Sequence, residues 1–223
     1  MAIVVKYWGC DKMAKCVLYS TITKDFRKDM KLLTGKDDFS VITIPSYRPM
    51  YDDSVLFHNP QNWYRGVKWH IVNTWDYDVE EFMDDILGSY DVLHLPGGNT
   101  WLFLYMLRER NLLPSIKRFS DNGGVVIGES AGSIIITPNI EVAKFADPNI
   151  VEDVLDSTES LGLVPFTIKP HWQSWWKKWF SFKKFANQYN IDVVPICDGE
   201  RVIVNGDNIQ YHTEWDTIRC KGE

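Results

Sequence analysis

Hydrophobic positions along this chain concentrate in short strand candidates, at 16–19, 39–44, 67–72, 91–95, 125–127, 162–168, 191–196 and 202–204. Segments with helical periodicity, roughly 24–34, 54–65, 78–88 and 100–120, separate the first five runs. Short apolar strands alternating with helices predict a mostly parallel sheet covered on both faces, a three-layer α/β sandwich. Within the 78–88 segment, Asp78 is a natural cap, and Gly88 a natural stop. The end of the chain reads differently. Runs at 202–204 and 209–211 flank Asn205-Gly206-Asp207-Asn208, whose turn residues predict an antiparallel hairpin. Near the start, Ile3-Val4-Val5-Lys6-Tyr7-Trp8 reads as an added edge strand.

A length of 223 residues with no low-complexity linker and no break in composition predicts one domain. The net charge is −6, with both signs interspersed, so no basic nucleic-acid surface is expected. No apolar run approaches the length that crosses a bilayer, and Met1 to Lys6 turns polar too soon for a signal peptide. Cytoplasmic location follows as the expectation. Cys10, Cys16, Cys197 and Cys220 form no C-x-x-C pair and no zinc-like spacing with histidine, so free thiols and no metal are expected.

The chemistry centres on Gly128-Glu129-Ser130-Ala131-Gly132, between the apolar runs Val125-Val126-Ile127 and Ile134-Ile135-Ile136. A strand passing through G-x-S-x-G into a helix is a nucleophile elbow, because the turn leaves no room for side chains beside the serine. Ser130 would then stand beside backbone N–H groups able to hold an oxyanion. The plainer alternative is a turn in which Ser130 only caps the helix. A second loop, Pro96-Gly97-Gly98-Asn99-Thr100, follows the run 91–95. Its paired glycines can aim amides at an anion, or Asn99 or Thr100 can simply cap a helix.

A serine nucleophile needs a base, and the base needs an orienting carboxylate. His70 and His94 lie within strand patterns, His58 in a polar stretch and His212 near the hairpin. His171 follows the run 162–168 and Lys169-Pro170, at the carboxyl end of a strand, where open parallel sheets build their sites. Asp198, before Gly199 and after the run 191–196, is the matching acid, with Glu129 and Asp147 as rivals. The order Ser, His, Asp fits an α/β-hydrolase poorly, since that fold places its acid before the histidine.

Taken together, Gly97-Gly98-Asn99-Thr100, Gly128 to Gly132, Pro170-His171 and Asp198-Gly199 resemble the dipeptidase E (aspartyl dipeptidase) and cyanophycinase family of serine hydrolases. The resemblance runs from about residue 16 to 212 and implies a flavodoxin-like, class I glutamine amidotransferase-like fold. It implies Ser130 as nucleophile, His171 as general base and Asp198 in the place of the family's orienting glutamate. Amides of Gly98 and Ala131 would form the oxyanion hole, with no metal or organic cofactor. Asn99, Thr100, Glu129 and Trp172 are the expected substrate contacts.

The implied activity is hydrolysis of a peptide or isopeptide bond in a small peptide; an amidase, an esterase or a catalytically silent ligand-binding protein on the same fold is the alternative. The expected partner is a small peptide, with neither nucleic acid nor membrane, and a homodimer is compatible with the reading. Two departures from the family bear on specificity. No arginine occurs between Arg118 and Arg201, where the dipeptidase carries one for aspartate, and Glu129 replaces an aromatic. Trp172, Trp175, Trp176 and Trp179 have helical spacing, which predicts a stripe packed on the sheet or, for one or two of them, a cleft wall. The polar segment 138–160, with Asp147 near its middle, reads as a cover over the site.

Overall fold

A computed structural model describes residues 3–5, 14–46, 66–72, 79–149, 151 and 154–220. The expected helix at 54–65, His58, and the Asp78 cap lie outside these residues. Ten strands are described: β1 (Ile3–Val5), β2 (Lys15–Tyr19), β3 (Ser40–Thr43), β4 (Lys68–Ile71), β5 (Val92–Leu95), β6 (Val125–Glu129), β7 (Thr167–Lys169), β8 (Val193–Pro195), β9 (Arg201–Asn205) and β10 (Asn208–His212). Six α-helices are described with them: α1 (Phe26–Thr34), α2 (Val79–Gly88), α3 (Thr100–Glu109), α4 (Leu112–Asp121), α5 (Ala131–Ile136) and α6 (Trp179–Tyr189).

The main sheet has the order β1-β10-β9-β2-β6-β5-β3-β4. Strands β2, β6, β5, β3 and β4 pair in parallel, whereas β9, β10 and β1 extend the sheet antiparallel. The predicted hairpin is therefore present, and an edge strand is present over Ile3–Val5, while positions 6–8 of that expectation lie outside the described residues. Alternation along the strands builds two cores, one on each face. Val17, Tyr19, Val41, Val92, Val125 and Ile127 point to one face, where Phe26, Met30 and Leu33 of α1 cover them. Those three helix residues recur at i, i+4 and i+7, so one stripe is buried, at about 1.5–3 kcal/mol per large apolar side chain. Gly35, left-handed at φ 73°, stops α1 with its amide on Lys31 O. Cys16, Leu18, Ile42, Leu93 and Val126 point the other way, into the larger core with residues of α2 to α6. Three layers result, as the pattern predicts.

Three local expectations need correction. The segment 100–120 is two helices. Asn111 turns left-handed at φ 46°, and Pro114 in the next turn has no N–H to carry α3 onward. Of the run 162–168, only its end is strand; β7 pairs in parallel with β8 in a separate two-stranded sheet. The amides of Leu161, Gly162 and Leu163 instead bond the carbonyls of Ile135, Thr137 and Ile136, satisfying the C-terminal end of α5. The tryptophan segment is not one helix. Two 3-10 turns, Trp172–Ser174 and Trp176–Lys178, precede α6, so the four indoles do not share one stripe.

Candidate active site

Strand β6 is central and buried, and the chain leaves it through Ser130 at φ 50°, ψ −110°. Glycine is required on both sides of that turn. A Cβ on Gly132 would lie 1.9 Å from Leu95 O, and one on Gly128 would lie 2.5 Å from Ser133 N. The Ser130 amide donates to Tyr19 O and the Gly132 amide to Pro96 O, so the neighbouring strand ends fix the turn. Ser133 adds its hydroxyl to Tyr19 O and Gly128 O, at 2.7 and 2.8 Å. Ser130 makes no side-chain cap to α5. Its Oγ instead lies 2.9 Å from His171 Nε2.

His171 follows β7 and Pro170 in a left-handed conformation, φ 56°. Its Nδ1 lies 2.7 Å from Asp198 Oδ1. The Asp198 carboxylate is short, but backbone pairing brings its loop in: Ile196 N donates to Lys169 O and Trp172 N to Ile196 O, each at 3.0 Å. The rival carboxylates are engaged elsewhere. Glu129 accepts from Ile22 N at 3.1 Å, and Asp147 accepts from the amide and hydroxyl of Thr100.

Two further residues hold the acid, and neither stood out in the sequence. Ser20, buried just past β2, donates to Asp198 Oδ1 at 2.7 Å and accepts from His171 N at 2.9 Å. Gln173 donates to Asp198 Oδ2 at 2.5 Å and accepts from Asp198 N at 3.1 Å. Partial burial pushes the Asp198 carboxyl up, but the bonds from Ser20, His171 and Gln173, with the charge of His171, outweigh it and hold the group below its ordinary value. The signal that finds Ser20 is positional. It ends a strand adjacent to β6 at the carboxyl edge, as Ser130 does.

The second loop stands against the serine. A Cβ on Gly97 would meet Ser130 Cβ at 3.5 Å, and Ser46 Oγ donates to Gly97 O at 2.8 Å. Gly98 has φ 142°, and a Cβ there would lie 2.4 Å from Ser46 Oγ. The amides of Ser130 and Gly132 are spent on the neighbouring strand ends, Tyr19 O and Pro96 O.

A carboxylate, an imidazole and a hydroxyl in series at a nucleophile elbow can move a proton off the alcohol. The model of peptidase family S51 matches residues 19–212 of this chain, a span holding every group just described. The chain belongs to peptidase family S51. Among similar proteins, an uncharacterized peptidase of Pasteurella multocida is 29% identical over 129 residues, covering 55% of this chain and 60% of that protein. Peptidase E of a Nostoc species is 35% identical over 92 residues, 41% of this chain and 36% of that protein. The matched stretches thus span less than two thirds of those relatives. In fold, a crystal structure of a Listeria monocytogenes protein assigned to peptidase E superposes with a TM-score of 0.72 at 22% identity, covering 94% of this chain and all of that one. A peptidase from an acI-B1 actinobacterium gives a TM-score of 0.64 at 15% identity, over 95% and 96% of the two chains.

Several expected substrate contacts of this S51 chain serve other ends. Asn99 caps α3, accepting from Leu102 N at 3.0 Å, and donates to Pro148 O. Thr100 is fully buried on Asp147, and Trp172 is fully buried between Trp179, Phe182 and Trp215. Within the segment expected as a cover, Asn139 bridges Glu159, and Asp147 and Pro148 bond the start of α3. Lys169, two positions before His171, is a buried cation whose Nζ donates to Pro170 O at 2.9 Å and faces the Trp175 ring at 4.9 Å. Burial pulls its ammonium down to about 8, partly opposed by the Asp147 charge. Among the described residues no group of three or more His, Cys, Asp or Glu is placed to hold a metal ion, and no helix is long and apolar enough to cross a membrane.

Proposed function

We propose that this chain is a dipeptidase E-like serine peptidase that cleaves a peptide or isopeptide bond in a small peptide. The observation that carries the reading is the unbroken relay from Ser130 Oγ through His171, 2.9 Å on one side and 2.7 Å to Asp198 on the other. In this reading His171 Nε2 takes the Ser130 proton as Oγ attacks the carbonyl carbon, and the Ala131 and Gly98 amides hold the oxygen as it gains charge. The same imidazole then hands its proton to the leaving amine, and the acyl group stays on Ser130. Water, deprotonated by His171, releases the acid and restores the hydroxyl. Asp198 fixes the imidazole tautomer and stabilises its cation, and Ser20 and Gln173 hold Asp198 in place. Family membership supports the same chemistry. The lack of an arginine between Arg118 and Arg201 favours a preference other than strict aspartyl specificity.

Labelling with a fluorophosphonate tests the reading, alongside turnover of a dipeptide library that includes β-aspartyl linkages. Wild type is expected to label once, at Ser130, and Ser130→Ala to lose label and turnover together. A folded wild type that neither labels nor cleaves any member overturns it in favour of a ligand-binding protein. Label with turnover of esters or simple amides alone assigns the esterase or amidase alternative.

A further inference from the structure

Beyond His171 the chain carries a second surface that the proposed chemistry leaves unused. From Trp172 to Tyr189 there are four lysines, Lys177, Lys178, Lys183 and Lys184, and no aspartate or glutamate, in a chain of net charge −6. Helix α6 is anchored by Phe182, Phe185 and Ala186, which are buried in the core. Its outer face shows Phe180, 86% exposed, with Lys184 one turn on and Asn187 beyond, at the helical period. In the preceding 3-10 turn, four positions before Phe180, Trp176 is 51% exposed with Lys177 Nζ 5.5 Å from its ring. An almost wholly exposed Phe beside an exposed Trp, ringed by lysines, is a surface built to lose its water against something.

The chemistry of that something is constrained. A symmetric second copy would set four lysines against four, which is repulsive. A folded protein would have to offer a cavity for each protruding ring as well as carboxylates for the lysines. A lipid surface with anionic headgroups needs no matching cavity, takes Trp and Phe at headgroup depth, and attracts lysines. We propose that the face formed by Trp176 and by Phe180 of α6, with Lys177 and Lys184 beside it, docks this protein on an anionic membrane surface. This departs from the expectation of no membrane partner, which rested on the length of apolar runs. That length limits spanning, whereas surface contact needs only an amphipathic face. Trp172, next to His171, packs against Trp179 and Phe182, so the docking face and the active site share one aromatic support. The inference does not depend on the peptidase reading.

Co-sedimentation of the full chain tests it, with vesicles of phosphatidylcholine alone and of phosphatidylcholine mixed with phosphatidylglycerol. Binding is expected only to the mixed vesicles, falling as salt is raised. Trp176→Ser with Phe180→Ser is expected to weaken it about tenfold or more, and Lys177→Glu with Lys184→Glu to abolish it. All four positions are exposed, so melting curves should match wild type, and active-site labelling should be unchanged. Failure to bind the mixed vesicles overturns the proposal, as does binding that neither pair of substitutions alters. A dimer abolished by Phe180→Ser, or capture by poly-glutamate, without vesicle binding would also overturn it and assign the face to a second copy or an acidic chain.

Discussion

The Ser20 hydroxyl reaches Asp198 Oδ1 at 2.7 Å across 178 positions of sequence, and Ser20 Oγ itself accepts from the His171 amide. One small side chain therefore sets both the acid and the base. Ser20→Ala would leave the His171 amide without that acceptor and remove the leading hydrogen bond that lowers the Asp198 carboxyl. The expected result is a fall in kcat of about ten- to a hundredfold with KM nearly unchanged, because only the transition state needs the imidazole held. Ser20→Thr, which keeps the hydroxyl, should recover part of the rate. Steady-state kinetics of the two variants checks this.

Asp198→Asn keeps the shape and loses the charge. In the relay seen here it should present the wrong hydrogen-bond polarity to Nδ1 and lower kcat by about 10⁴. The wild-type carboxyl is held below its ordinary value, so Asp198 stays ionised wherever an imidazole can act as base. A pH profile of kcat/KM for wild type and variant measures both effects.

Gly98→Ala should be damaging without touching the triad. The backbone there is at φ 142°, and the new Cβ would come within 2.4 Å of Ser46 Oγ. The loop must shift away from Ser130, taking the Gly98 amide with it. Turnover should drop by about 10²–10³, the effect of losing one oxyanion donor. Ser46→Gly in the same chain relieves the collision but not the φ, so partial rescue at most is expected.

Lys169 makes a prediction about alkaline pH. Its ammonium titrates near 8 in the fold, against 10.5 when free. Between those values the unfolded chain binds more protons than the folded one, so this group's contribution to stability rises with pH across that window. Burying the charge costs most below pH 8. Lys169→Met should therefore melt higher than wild type at pH 7, by a few kcal/mol at most, with the gap closing toward pH 10. The buried Cys16 thiol, pushed up to about 12, acts in the opposite sense above pH 9 in both proteins, so the difference between them is the readout.

How much of this could be read from residues alone depended on range. The elbow was legible because a G-x-S-x-G between apolar runs is a local event, and so was the 205–208 hairpin. His171 and Asp198 were legible as ends of strands, although β7 and β8 form a small separate sheet. Ser20 and Gln173 were not legible. A serine after a strand and a glutamine among tryptophans are ordinary until the β2–β6 pairing and the 171–173 turn bring them to Asp198. The division at Asn111 was hidden because the hydrophobic period continues through it, and only the left-handed residue and Pro114 break the backbone. For Trp172 the spacing leaves packing and a cleft wall both open, because aromatic spacing carries no information about which side is solvent; the residue is buried.

Ser130 and His171 are two of the four non-glycine residues with positive φ among those described. An L-residue in such a conformation costs about 1–3 kcal/mol, a noticeable share of the roughly 5–15 kcal/mol that holds a typical domain together. Glycine would relax either position. A population of this gene passaged only for heat tolerance should accordingly drift to glycine at both and become sturdier but inert. Keeping the two residues thus requires a pressure other than robustness.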